Sequence, residues 1–263
     1  MAINGRGSGE GFRCRSEAEG NEVSESNLRQ SGASSVASNR LTLGALALVV
    51  AGVTQLPTGI LRAGVPSDPA QNLEFALGAN SVAFRLGMAL TDVSLAFFVL
   101  GLIALYAYLS RTRAERLAFV GLVMTVGFLV LFLPLIGFVA YMVPAIGVLA
   151  EQGQTEMIQV MDQTFAEPFI LIPFLGNILW TVGCISLGLA IWRSGRLWRW
   201  GGLLFILFGV IGIPAIFDVG VLQLVASVLL GLAQLTVGVA LFRAVRGEAA
   251  TSTAALASPL ASG

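Results

Sequence analysis

An all-α, polytopic integral membrane protein with six transmembrane helices and both termini in the cytoplasm is the architecture this sequence predicts. Three observations lead there. Of 263 residues, 56% are hydrophobic and only 11% charged, whereas a soluble domain carries about 25% charged residues. One packed domain of this length has too little interior to hide that much apolar surface from water. The apolar residues gather into six runs, each long enough to cross a hydrocarbon core of about 30 Å. Arginines then mark alternate ends of those runs.

Residues 1–40 are rich in Gly, Ser, Glu and Asn, with five Arg balancing five Glu. Such a segment buries too little apolar surface to offset its ordering entropy, so a disordered cytoplasmic tail is expected. Its "GRGSGEG" mimics a phosphate-binding glycine loop only in composition, with no strand before it and no helix after. The first apolar run begins at Leu41, too late for a signal peptide.

The membrane domain is expected over 41–246. Its spans fall at about 41–61, 86–109, 117–143, 168–192, 198–217 and 219–242. The third, "LAFVGLVMTVGFLVLFLPLIGFVAYMVPAI", is overlong and holds Pro134 and Pro144, which predicts a tilt or kink. Between the third and fourth spans, Met157, Ile158, Met161 and Phe165 recur at helical spacing opposite Glu, Gln and Asp. That pattern predicts an amphipathic segment over 151–166, lying on the outer interface as a connector or a lid. Residues 247–263 are expected to form a second disordered cytoplasmic tail.

Orientation follows from arginine placement. Arg111, Arg113 and Arg116 follow the second span, Arg193, Arg196 and Arg199 follow the fourth, and Arg243 and Arg246 follow the sixth. The segment 147–167 holds no Arg but carries Glu151, Glu156, Asp162 and Glu167. Trp192, Trp198, Trp200 and Phe242 flank the basic ends as interfacial anchors. The stretches "LGLAIWRSGR" (187–196) and "VGVALFRAVR" (237–246) share an aromatic and two Arg at equal spacing. Two spans leaving the membrane in the same direction need the same belt, which explains the match without a duplication.

Absences restrict the chemistry. All 15 basic residues are Arg, with no Lys and no His. That removes Schiff-base and phosphate-loop lysines, imidazole metal ligands, axial haem histidines and histidine general bases. Cys14 in the tail and Cys184 within a span form no disulfide framework. No cofactor, metal or catalytic residue is expected, nor any nucleic acid.

Polar side chains fall on stripes. Gly220, Gln223, Ser227, Gly231, Gln234 and Gly238 share one face of the sixth span. Asn177, Thr181, Cys184 and Gly188 do so in the fourth, Arg85, Ala89, Asp92 and Ala96 in the second, and Gly44, Ala47, Ala51, Gln55 and Thr58 in the first. Lipid satisfies neither amides nor carboxylates, so these stripes are expected to face one another. At a rise of about 1.5 Å per residue, Asn177 and Gln55 lie roughly 21–23 Å above the cytoplasmic ends. Asp92 and Gln223 lie roughly 26–29 Å up, and Gln234 roughly 12 Å. Small residues in such stripes also serve plain helix packing, and the amides serve as interhelical hydrogen-bond glue.

At "SLGLAIWRSGRLWRWGGLLFILFGVIGI" (186–213) the chain resembles bacterial and archaeal multi-pass membrane proteins grouped as a domain-of-unknown-function family. They have a similar aromatic–basic exit, a Trp–Gly pair and a further helix at this point. The resemblance implies a prokaryotic membrane protein and carries over no functional residues.

Three functions fit these residues. The first is binding or transport of a small polar or cationic ligand through an outward-facing pocket in the cell membrane. Asp92, Arg85, Gln55, Asn177, Gln223 and Gln234 are its candidate binding residues. The second is a carboxylate-dependent enzyme acting on a lipid or isoprenoid, with Asp92, Glu167 or Asp218 as acid or base. Asp218, directly before the last span, is more simply an N-cap. The third is a non-catalytic accessory subunit that docks a protein partner or a second copy of itself.

Overall fold

The computed structural model describes residues 38–65, 72–164, 171–212 and 221–257. The described residues form helices and short turns, with no strand among them. Five helices are long and apolar enough to cross a membrane: Ser38–Arg62, Val82–Leu109, Glu115–Glu151, Phe174–Ser194 and Val221–Thr251. A shorter apolar helix covers Arg199–Gly212.

The first of these long helices consists of α1 (38–55) and α2 (Thr58–Arg62), separated by a turn at Leu56 and Pro57. Pro57 has no N–H to donate, and its ring crowds the preceding turn, so the helix breaks there. The Thr58 hydroxyl bridges the break by donating to the Gln55 carbonyl at 2.7 Å. Gln55 Nε2 donates to the same hydroxyl at 3.2 Å.

Helix α3 (Asn72–Ala79) lies before the second long helix, in a stretch that hydropathy alone leaves as a connector. Helix α4 (Val82–Leu109) begins four residues earlier than the apolar run predicts. Ser81 is its N-cap, its Oγ accepting from the Phe84 N–H at 3.3 Å.

The overlong third run extends past its predicted end. Helix α5 (Glu115–Gly137) passes through a π-helical turn, Phe138–Met142, into α6 (Val143–Glu151). Pro134 is carried inside α5 without ending it. The register changes ahead of Pro144, where the Val143 N–H donates to the Phe138 carbonyl, five residues back. Pro144 cannot donate to Ala140, and the wider turn relieves its ring against that carbonyl. The resulting 37-residue helix is about 55 Å long, well beyond one hydrocarbon thickness.

Its projecting end supports a small cap. Helix α3, α6, a 3₁₀ turn (Thr155–Met157) and α7 (Ile158–Thr164) close around Phe75, Phe84, Val143, Ile146 and Met161. Met161, on the apolar face of the expected amphipathic segment, is 0% exposed. Asn72 Nδ2 donates to Asp162 Oδ1 and ties α3 to α7. Phe165 lies outside the described residues.

Helices α8 (Leu171–Ser194), α9 (Arg199–Gly212) and α10 (Val221–Ala257) complete the bundle. α8 packs on α5 and α9, and α9 on α10, while α1 lies against α4 and α10 at its glycines. The α10 helix continues to Ala257, through much of the segment expected to be a disordered tail. The remainder of both expected tails lies outside the described residues, as do residues 213–220, which include Asp218.

The glycines of the first, fourth and sixth expected spans mark close helix contacts, whereas the α4 stripe does not face the bundle interior: Arg85, Ala89 and Ala96 are exposed. A Cβ on Gly52 would stand 2.6 Å from the Gly231 carbonyl, and one on Gly238 2.9 Å from the Ala45 carbonyl. Gly188 and Gly202 face one another in the same way between α8 and α9. At the centre, Phe98 of α4, Phe128 of α5, Trp180 of α8, and Phe205 and Phe208 of α9 form one aromatic cluster. Its ring centroids lie 4.4 to 6.3 Å apart.

Candidate binding cleft

Two of the six candidate residues share a cleft of about 600 Å³ between α4 and the π turn with α6. Arg85 and Asp92 line one wall, with Ala89 between them. Ala140, Tyr141 and Ala145 contribute to the other. The walls are mostly apolar, with Met88, Pro144, Val148 and Leu149 beside the three alanines. The spacing of seven between Arg85 and Asp92 returns both to one face of α4, two turns apart.

Tyr141 was not among the candidates, and it is Asp92's partner. Its hydroxyl donates to Asp92 Oδ2 at 3.0 Å, and its side chain leaves the residue 69% exposed. The π turn sets the angular position of Tyr141 on the long helix. An ionised carboxylate accepts about four hydrogen bonds, so one hydroxyl leaves most of its capacity open. Arg85 is exposed and donates through Nη2 to Asn80 Oδ1, just beyond the N-terminus of α4. Neither Asp92 nor Arg85 has an ion-pair partner among the described residues, where the one salt bridge joins Arg196 to Glu248.

The other four candidates are placed elsewhere by the fold. Gln55 is buried in the α1–α2 junction, its amide committed to Thr58. Gln223 is half-buried on α10, and its carbonyl accepts from the Ser227 hydroxyl at 2.9 Å. Asn177 is half-buried on α8. Gln234 is 0% exposed, between Gly231 and Gly238 on the side of α10 that meets α1. Its Oε1 and Nε2 are both enclosed with no partner among the described residues. None of these four is among the described residues lining the Asp92 cleft.

Two further polar groups belong to the same end of α4. Ser94 Oγ donates to the Ala51 carbonyl at 3.0 Å and fixes α4 against α1. The Arg62 guanidinium carbon lies 5.8 Å from the centre of the Phe84 ring, a cation–π contact. No group of three or more Cys, Asp or Glu able to hold a metal occurs among the described residues. Comparison with protein families, with curated proteins and with solved structures gives no match.

Proposed function

We propose that this protein is a membrane-embedded binding module that takes a small polar or cationic ligand against Asp92, from the outer face of a six-span bundle with cytoplasmic termini. The carrying observation is a carboxylate in a cleft, held by one tyrosine hydroxyl and ion-paired neither to Arg85 of the same cleft nor to any other cation among the described residues. A cation meeting Asp92 in a partly desolvated, largely apolar cleft forms a charge-assisted hydrogen bond, stronger than its neutral counterpart.

The topology is supported by charge. Six arginines lie at or just beyond the ends of α4 and α8, and Arg243 and Arg246 lie on α10 just before Glu248, which Tyr108 of α4 contacts, whereas Glu151, Glu156 and Asp162 belong to the cap. By the positive-inside rule the arginine end is cytoplasmic and the cap is external. Asp92 then lies about 26 Å above the inner end of α4, near the outer limit of the hydrocarbon. Arg199–Gly212 spans about 21 Å alone, and the rest of the expected fifth span lies outside the described residues.

Purified protein in lipid nanodiscs, titrated calorimetrically with n-butylammonium, tests this reading. Asp92→Asn is expected to weaken binding about tenfold or more, since charged hydrogen bonds contribute about 1.5–3 kcal/mol. Equal affinity in the variant would remove Asp92 from the site, and absence of binding to the unmodified protein would remove the cation reading.

A further inference from the structure

The cleft carries a cation as well as an anion, and the two are held apart. Resting on the reading of Asp92 as a cation-binding group, we infer that the cleft's ligand is a small zwitterion. Its ammonium end meets Asp92 and Tyr141, its carboxylate or other anionic end meets Arg85, and a short apolar spacer lies between.

Four features support this. Arg85 and Asp92 line the same cleft, so one bound molecule can reach both. Neither is neutralised by an opposite charge among the described residues. Arg85 is turned away from Asp92, because its Nη2 is engaged by Asn80, which precedes α4 in the chain. An arginine on a helix also leans toward the N-terminus, in the same direction. The guanidinium therefore does not close on the carboxylate, and its other N–H donors remain for an anion. Between the charges the walls are formed by Met88, Ala89, Ala140 and Ala145, which suit methylene groups and offer no side-chain hydrogen bond.

The spacing sets the ligand's length. Seven residues of helix separate the two Cα atoms by about 10.5 Å along the axis. Subtracting one charge-assisted contact of about 2.8 Å at each end leaves about 5–7 Å between the ligand's charges once the outward lean of Arg85 is included. An α,ω-amino acid with about four methylenes spans that gap, whereas an α-amino acid is too short to touch both ends.

Calorimetry in nanodiscs with n-butylammonium, 5-aminopentanoate, glycine and pentanoate separates the possibilities. In the unmodified protein 5-aminopentanoate is expected to bind about tenfold tighter than n-butylammonium, with glycine and pentanoate far weaker than either. Arg85→Gln is expected to bring the ratio of 5-aminopentanoate to n-butylammonium affinity to about one, and Arg85→Lys to restore part of it. A ratio near one in the unmodified protein, with n-butylammonium still lost in Asp92→Asn, would overturn the zwitterion and leave the cation site standing. A tenfold ratio that survives Arg85→Gln would also overturn it. If n-butylammonium and 5-aminopentanoate both fail to bind, the cation reading and the zwitterion fall together.

Discussion

Gln234 has both amide atoms enclosed and unpartnered among the described residues, in the interface between α10 and α1. A buried amide without hydrogen bonds costs about 1–3 kcal/mol on protein mutational scales. Gln234→Met keeps the length and removes the polar atoms, and is expected to raise the unfolding temperature in detergent. A fall of several degrees would mean that the amide is satisfied, for example by an internal water. Asp92 differs in that its carboxylate opens on a cleft and has a partner in Tyr141. Tyr141→Phe removes that donor alone, and is expected to change n-butylammonium affinity by about fivefold, the scale of one hydrogen bond. The sequence pattern singled out Arg85 and Asp92 because a spacing of seven is visible in one dimension. It could not single out Tyr141, which lies 49 residues away on a helix whose register shifts just there. It also grouped Gln55 and Gln234 with Asp92 as polar members of helix stripes, while their directions depend on which neighbour each helix face meets.

At the scale of elements, glycines and prolines carry most of the specificity. Gly52 and Gly231 bring the α1 and α10 backbones into contact, and a Cβ on Gly52 meets backbone atoms at 2.6 Å. Backbone cannot swing aside as a side chain does, so Gly52→Ala is expected to destabilise by about 1–3 kcal/mol in a denaturation series. Gly137→Ala is the matched control, with helical φ and ψ of −60° and −42° and nothing within 4 Å of its added Cβ. It is expected to be neutral or to stabilise by up to about 1 kcal/mol, because glycine is a poor helix former. The close-packing role of these stripes was legible from spacing. Pro144 has a less obvious consequence. By excluding an N–H it favours the π turn, and the π turn orients Tyr141. Pro144→Ala is expected to lower n-butylammonium affinity severalfold with little loss of thermal stability, since the added N–H allows an ordinary turn. A tilt or kink was readable from the two prolines. A register change, and the helical cap that the lengthened helix supports, was not. Helix α3 has only eight residues, too few for a periodic signal, and its stability comes from Phe75 and Ala76 packing against α6 and α7.

For the whole molecule, composition was the most informative feature. An apolar chain with few charges has to place them where water is, and most of the arginines gather at one end of the long helices, with Arg62 and Arg85 at the cap end and Glu115 and Glu248 at the arginine end. The ends also differ in build. At the basic end Arg196 and Tyr108 converge on Glu248, joining α4, the α8–α9 turn and the extension of α10, while the other end carries the cap. If the cap is external, the Asp92 cleft draws ligand from outside, and the zwitterion and cation tests concern extracellular solutes. The most direct test is the accessibility of single cysteines in intact cells, in a background with Cys14→Ser and Cys184→Ala. Gln152→Cys in the cap is expected to react with a membrane-impermeant maleimide added outside, while Arg113→Cys reacts only after the membrane is opened. Labelling of Arg113→Cys in sealed cells, with Gln152→Cys protected until lysis, would invert the molecule and contradict an outward-facing Asp92 cleft.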